Sequence, residues 1–193
     1  MSAILAVCGP AFCAMVSDGR MVEEPVQDGT PKILTDSLPK VRKVNRNVLV
    51  GFAGDTVAAA RIVNTLDEYN VQYLTLEKAV KILAEAGRKV PCAPVGVRLL
   101  VGGRDRKGGF ELVSLGSADG FEPQTQPARD GAYLIEGACS HTEIAPYLEQ
   151  DVKPAASAWK SLDDVAATLD QCITHIAEND KTVNTTFYRE LIL

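Results

Sequence analysis

The stretch MSAILAVCGPAFCAMVSDGR, residues 1–20, decides how the chain is organised. An apolar run begins directly after Ser2 and reaches a turn at Gly9-Pro10, and a second apolar run then leads to Asp18. Two apolar runs joined by a Gly-Pro turn are typical of a β-hairpin. The hairpin predicts that Asp18 lies beside the start of the strand that follows Ser2.

Ser2 is a candidate nucleophile. If Met1 is removed, Ser2 carries a hydroxyl group and a free α-amine on one residue. An α-amine titrates at about pH 7.7–8.0, so part of it is unprotonated near neutral pH and can take the hydroxyl proton. Many chains begin with Met-Ser without any such chemistry, so these two residues alone favour an inert start. The rest of the sequence decides between the two interpretations.

Composition and charge indicate a single globular domain over residues 1–193. Hydrophobic residues make up 46% and charged residues 23% of the chain, which suffices for a sizeable core. The net charge is −5 and no basic patch stands out, which argues against a nucleic-acid partner. Residues 3–16 are apolar, but no basic residue precedes them and Gly9-Pro10 interrupts them, so they do not resemble a signal peptide. No run approaches the roughly 20 apolar residues of a membrane span, so no membrane association is expected.

Cysteine and histidine usage points to a reducing compartment and to chemistry without a metal. The five cysteines are scattered and form no CxxC pair, which favours a cytoplasmic location over a disulfide framework. The two histidines, His141 and His175, have no neighbour at metal-ligand spacing. We therefore expect neither a metal ion nor another cofactor.

The remaining sequence predicts strands and helices in a regular order. Strands are predicted at 40–44, 47–53, 95–103, 110–115, 121–125, 132–136 and 185–193, and helices at 55–70, 75–87, 141–150 and from 161 onwards, with a loop or ragged strand at 19–39 and a link at 153–158. Asp55, Thr75 and Ser161 are suitable N-caps for three of these helices. Paired strands thus alternate with helix pairs. The economical packing is an α+β fold, a four-layer αββα sandwich with two stacked antiparallel sheets between outer helices.

This order, together with Ser2, resembles the proteasome β-type subunits and the bacterial HslV peptidase, which belong to the N-terminal nucleophile hydrolase superfamily. The likeness covers nearly the whole chain. The segments that carry it are Ser17-Asp18-Gly19-Arg20, Pro39-Lys40-Val41, Ala53-Gly54, and the hairpin from Val101-Gly102-Gly103 through Gly108-Gly109 to Gly116. Each segment alone is a weak signal, but their joint order and spacing are specific for the fold.

The resemblance implies a role for each matching residue. Ser2 would attack a carbonyl carbon, Lys40 would lower the proton affinity of the α-amine as an ammonium ion, and Asp18 would hold Lys40 in place. The backbone N–H of Gly54, at a helix N-terminus, would donate to the oxyanion. Lys32 is a rival to Lys40 but lacks the expected spacing to Gly54.

The chain also departs from the pattern of the family. Gly137-Ala138-Cys139-Ser140 stands where the family usually has Gly-Ser-Gly, so the supporting serine is displaced to Ser140. Asp180 is the best match to a supporting aspartate, but Val183 stands three residues later where a serine is expected. The nucleophile is serine where the family usually has threonine, and the loop between Asp18 and Lys40 is longer than usual.

Three functions stay open at this point: a peptidase, a non-catalytic assembly subunit with the same fold, and an amidase for small amides. Taken alone, Asp18 could be an ordinary Asp-Gly turn residue and Lys40 a solvated charge at a strand edge. The resemblance favours the peptidase. It implies a peptide or protein substrate, a homo-oligomeric ring or stack, and a possible ATPase partner.

Overall fold

The computed structural model describes residues 2–23, 30–126 and 132–193, and its main feature is a pair of antiparallel sheets. The first sheet contains, in spatial order, β10 (Leu134–Cys139), β1 (Ala3–Cys8), β2 (Cys13–Ser17) and β11 (Tyr188–Ile192). The second contains β5 (Val41–Asn45), β6 (Val48–Gly54), β7 (Val97–Arg104), β8 (Phe110–Gly116) and β9 (Gln124–Gln126). Two short strands, β3 (Met21–Val22) and β4 (Ile33–Thr35), pair separately. Met1 lies outside the described residues.

Helices cover the outer faces of both sheets. α1 (Thr56–Asn64) and α2 (Leu76–Gly87) pack on the second sheet, and α3 (Ala145–Tyr147), α4 (Lys153–Ala156) and α5 (Leu162–Asn179) lie on the side of the first. The predicted N-caps are confirmed: Asp55 accepts hydrogen bonds from two helical N–H groups, Thr75 from one, and Ser161 forms a capping box with Asp164. Among the helices described, none is both long and apolar enough to cross a membrane.

Three apolar cores separate four layers and confirm the predicted αββα sandwich. The first core, with Ile62, Leu83 and Leu99, fills the space between α1, α2 and the second sheet. The second, with Ile4, Met15 and Leu49, lies between the two sheets. The third, with Leu5, Leu169 and Ile173, lies between the first sheet and α5. Since β1 contributes Ile4 to one core and Leu5 to the next, this strand is buried on both faces, and each of its six residues is buried.

The predicted N-terminal hairpin is present in the first sheet. β1 and β2 pair antiparallel with Cys8 opposite Cys13 and Ile4 opposite Ser17. The N–H of Asp18 donates to the carbonyl oxygen of Ala3 over 3.2 Å, which continues the ladder by one step. The register therefore brings Asp18 next to the residue that follows Ser2.

Several predicted boundaries are wrong for local reasons. The first helix was expected to reach Asn70, but α1 ends at Asn64 and a 3-10 turn, Thr65–Glu68, replaces its last part. The helix expected at 141–150 begins at Ala145 and continues through a π-helical segment, Leu148–Val152, into α4, so the link expected at 153–158 is partly helical. Pro154 supports this because proline is tolerated in the first turn of a helix.

The segment between Asp18 and Lys40 forms the β3–β4 pair at its two ends, and its residues 24–29 lie outside the described residues. The strand expected at 121–125 is the shorter β9, because Phe121 adopts a positive φ of 57° that ends the preceding turn. The closing strand is likewise shorter than the expected 185–193.

Candidate active site

Ser2 directly precedes β1, one of the two inner strands of the first sheet, and is fully buried. Its Oγ is inaccessible to solvent and has no hydrogen-bond partner among the residues described. Its backbone nitrogen donates to Ser140 Oγ over 2.9 Å. Buried hydroxyl groups are normally hydrogen-bonded. The Oγ of Ser2 is an exception to this rule, and it belongs to the candidate nucleophile.

Asp18 and Lys40 form a buried ion pair beside Ser2. Lys40 Nζ donates to Asp18 Oδ1 over 2.7 Å, and neither side chain is exposed. The same Oδ1 accepts the N–H of Ala3 over 2.8 Å, so one carboxylate oxygen connects the lysine to the backbone next to Ser2. Lys40 Nζ also donates to the carbonyl oxygen of Arg20 over 2.6 Å.

The pKa of Lys40 lies below its ordinary value. Burial is the main cause because it disfavours the charged ammonium ion, and the negative charge and the hydrogen bond of Asp18 oppose this effect. Lys32, the rival candidate, has a side chain that is 74% exposed and pairs with Glu23 on the surface. The structure therefore puts Lys40, and not Lys32, in the interior beside Asp18.

Ser140 connects Ser2 to Gly54. Its Oγ accepts the N–H of Ser2 and, over 3.0 Å, the N–H of Gly54. Gly54 has a φ of 98°, and a Cβ at this position would lie 2.2 Å from the carbonyl oxygen of Gly96. Only glycine fits at this turn from β6 into α1, and the turn directs the Gly54 N–H towards Ser140.

A cleft of about 410 Å³ opens beside these groups. Gly54, Cys139 and Ser140 line it together with Arg98 and Asp119. Pockets of this size accommodate small ligands or segments of a peptide. The cleft reaches Ser140 and Gly54, whose hydrogen bond lies next to the nitrogen of Ser2, whereas Ser2 itself does not line it.

The side chain of Asp180 bonds to Cys139, Thr142 and Thr182 rather than to Ser2 in the part of the chain that the structure describes. Its Oδ2 accepts the Thr142 hydroxyl over 2.7 Å, and its Oδ1 accepts the N–H and hydroxyl of Thr182. Burial alone would raise the pKa of Asp180, but these hydrogen bonds outweigh it and hold the pKa below its ordinary value. Asp180 is therefore an ionised anchor for the end of β10.

Cys139 is the only cysteine that adjoins both Ser140 and Asp180 in the part of the chain the structure describes. Burial, with the carboxylates of Asp180 and Asp18 nearby, raises the pKa of Cys139 to about 11. A cysteine needs its thiolate form to act as a nucleophile. Cys139 is protonated at neutral pH and does not compete with Ser2 for that role.

Sequence reasoning missed three contributors to the site. Ser17 Oγ accepts the N–H of Lys40, Thr142 binds Asp180, and Asn184 bonds to the Asp18 turn. Ser17 could have been found from its place next to Asp18. No local pattern marks Thr142 or Asn184, because their partners are 38 and up to 166 residues away in the sequence.

The four-layer sandwich and the buried Asp18–Lys40 pair next to the strand that follows Ser2 are the features on which the sequence resembled the proteasome family. The family model of the proteasome subunit matches residues 2–189, so the chain belongs to the proteasome subunit family, and the resemblance to that family seen in the sequence is confirmed. No curated protein sequence matches the chain. At the level of the family, membership supports a peptidase of the N-terminal nucleophile type. Within the described residues, no group of three or more His, Cys, Asp or Glu side chains is placed to hold a metal ion.

Proposed function

We propose that the chain is a peptidase that uses Ser2 as its nucleophile, with the α-amine of Ser2 as the base once Met1 is removed. The observation that carries this proposal is the Asp18–Lys40 ion pair, which is fully buried and bonded to the backbone next to Ser2. Burying a lysine costs free energy unless it is well paired. A subunit with only an assembly role does not need this pair at this position.

The reaction begins when Ser2 Oγ forms a bond to the carbonyl carbon of the substrate. The hydroxyl proton passes to the α-amine, directly or through a water molecule. The tetrahedral intermediate then collapses, its C–N bond breaks, and the leaving amine takes the proton back from the α-ammonium group. A water molecule hydrolyses the remaining ester on Ser2, which releases a carboxylate and restores the hydroxyl group.

Lys40 and Gly54 would assist this chemistry through charge and hydrogen bonding. The ammonium group of Lys40, fixed by Asp18, lowers the proton affinity of the α-amine and stabilises negative charge on the substrate oxygen. The Gly54 N–H donates to Ser140 Oγ in the substrate-free protein. A substrate oxyanion would take over this donor when it forms.

A second candidate is a non-catalytic assembly subunit, and Val183 favours it. This residue is 2% exposed and apolar at the position where the resemblance predicts a serine. An amidase for small amides remains the alternative within the hydrolase class, since the cleft of about 410 Å³ also suits a small ligand.

The wider setting follows from the family. Proteasome-family subunits usually assemble in rings or stacks, and we propose a homo-oligomeric ring or stack for this chain as well. Such an assembly would enclose the cleft lined by Gly54 and Ser140 and would restrict its substrates to unfolded protein or peptide. A cytoplasmic location and an ATPase that feeds the ring fit this role.

The proposal is tested on protein whose intact mass shows that Met1 is absent. The processed protein should cleave fluorogenic peptides and be labelled at Ser2 by a serine-reactive probe, and Ser2→Ala should abolish both without unfolding the protein. Ser157→Ala, a change at an exposed serine outside the site, is the matched control.

Two other outcomes of this experiment would each favour one of the alternative functions. Processed protein that is neither labelled nor active points to the assembly subunit. Labelling at Ser2 with turnover of small amides only points to the amidase.

A further inference from the structure

The side chain of Asn184 forms hydrogen bonds both to the loop after β2 and to the segment that precedes Lys40. Its Oδ1 accepts the N–H of Gly19 over 2.9 Å and that of Thr186 over 3.2 Å. Its Nδ2 donates to the carbonyl oxygen and to Oδ1 of Asp36, over 3.1 and 2.9 Å. Asn184 is 9% exposed, so this buried amide uses both its acceptor and its donors.

The backbone of Asn184 reaches the Asp18 carboxylate itself. The N–H of Asn184 donates to Asp18 Oδ2 over 3.4 Å, and the N–H of Arg20 donates to the same oxygen over 2.8 Å. These bonds hold Oδ2, so the other oxygen, Oδ1, faces Ala3 and Lys40. The orientation of the carboxylate is therefore fixed from the side of Asn184.

Asp36 extends the connection towards Lys40. Asp36 lies four residues before Lys40, and its carboxylate accepts the Arg20 guanidinium over 2.6 Å. The carbonyl oxygen of Arg20 in turn accepts Lys40 Nζ. Through its hydrogen bonds to Asp36, the side chain of Asn184 is connected to both chain segments that hold the ammonium group. These are the loop that contains Arg20 and the segment from Asp36 to Lys40.

We propose that Asn184 is a positioning residue for the Asp18–Lys40 pair. This inference rests on the proposed function, because it assigns Asn184 a role in that same site. An amide suits the position because it alone among short side chains offers an acceptor to two N–H groups and two donors to Asp36. Aspartate has the same shape but supplies no donor, and it adds a negative charge.

The charged groups around Lys40 determine what that added charge does. The Asp18 carboxylate and the backbone carbonyl oxygen of Arg20 accept hydrogen bonds from the ammonium group, the Arg20 guanidinium pairs with Asp36, and the neutral thiol of Cys139 lies on the side of the cleft. A carboxylate at position 184 would join Asp18 and Asp36 on the negative side. It would favour the ammonium form of Lys40 and raise the pH at which Lys40 loses its proton.

The experiment compares Asn184→Asp and Asn184→Ala with wild type, all lacking Met1. We expect Asn184→Ala to lower kcat about tenfold or more with little change in KM, since misplacement of the pair affects the chemical step. We expect Asn184→Asp to lower kcat as well and to move the alkaline limb of the pH–rate profile to higher pH. Asn179→Ala and Asn179→Asp, changes at an exposed asparagine near the end of α5, should leave kcat and the alkaline limb unchanged.

The titration of Lys40, followed by NMR on protein labelled with ¹³C at the lysine ε-carbon, gives a readout without turnover. If wild type does not cleave peptides, the proposed function fails, but the Asn184→Asp protein should still show Lys40 titrating at a higher pH than in wild type. The inference is overturned if folded Asn184→Asp leaves both kcat and the Lys40 titration as in wild type. If Asn184→Ala does not fold, the Asn184→Asp result decides alone.

Discussion

Lys40 Nζ lies 2.7 Å from Asp18 Oδ1, and neither side chain is exposed to solvent. The pair is isolated from water on all sides, so each partner depends on the other for the stabilisation of its charge. This makes the pair sensitive to single substitutions and gives a direct thermodynamic test of its burial.

Lys40→Met leaves the Asp18 carboxylate buried without its cation. We expect it to lower the free energy of unfolding by about 3–5 kcal/mol and to abolish turnover. Asp18→Asn should also destabilise, and the double variant should lose less than the sum of the two single losses because both act on one pair. Denaturant unfolding measures these values, and strictly additive losses would contradict the pairing.

Lys32→Met is the matched control for that series. Lys32 forms a pair with Glu23 on the surface, and exposed pairs contribute about 0–1 kcal/mol. The control should unfold within that range of wild type and keep full activity.

The rate should depend on pH through two groups. It should rise as the α-amine loses its proton, and fall at higher pH as Lys40 loses its own, at a pKa below the ordinary lysine value because of burial. Since Asp18 opposes the effect of burial, Asp18→Asn should move the alkaline limb to lower pH in whatever activity remains. Cys139→Ala should keep the limb in place, which separates Lys40 from the thiol with its pKa of about 11.

Ser140→Ala removes the acceptor that Ser2 and Gly54 share. We expect a loss of kcat of about 10²-fold, comparable to removal of other groups that orient a reacting centre, and a loss of stability of about 1 kcal/mol. Steady-state kinetics and thermal unfolding check the two effects separately. Ser157→Ala, at an exposed serine in the same half of the chain, should change neither, and an unaltered kcat in Ser140→Ala would contradict the proposed site.

Gly54→Ala tests the backbone at the start of α1. The added Cβ would meet the Gly96 carbonyl oxygen at 2.2 Å, so we expect a strong fall in Tm and loss of activity. Gly108→Ala is the control, because Gly108 also has a positive φ, of 87°, but has open space around it. It should show only the backbone strain of about 1–3 kcal/mol, and an equal fall in Tm for both variants would contradict the steric argument.

Assembly gives the fifth prediction. Native mass spectrometry and light scattering should find a ring or stack of identical chains at micromolar concentration, and Ser2→Ala should assemble as wild type does. A particle of monomer mass under these conditions would argue against the proposed oligomer.

The sequence determined the features that depend on neighbouring residues. The Gly9-Pro10 turn and its apolar flanks specify the hairpin, and Asp55 and Ser161 specify helix starts through hydrogen bonds to N–H groups two or three residues away. The alternation of these elements predicted the layers, because an apolar sheet face needs a cover. The same local signals overestimated the length of α1, because a 3-10 helix replaces the last part of the predicted α-helix.

Tertiary structure alone decided the surroundings of the candidate site. The spacing to Gly54 already favoured Lys40 over Lys32, but only the fold shows that Lys32 is 74% exposed and that Lys40 is buried against Asp18. Asn184 carries no local mark and contacts Asp18 across 166 residues of chain. The physical reason is that burial and long-range hydrogen bonds arise only when distant segments pack together, so a side chain's charge state and partners are properties of the folded chain and not of its neighbours in sequence.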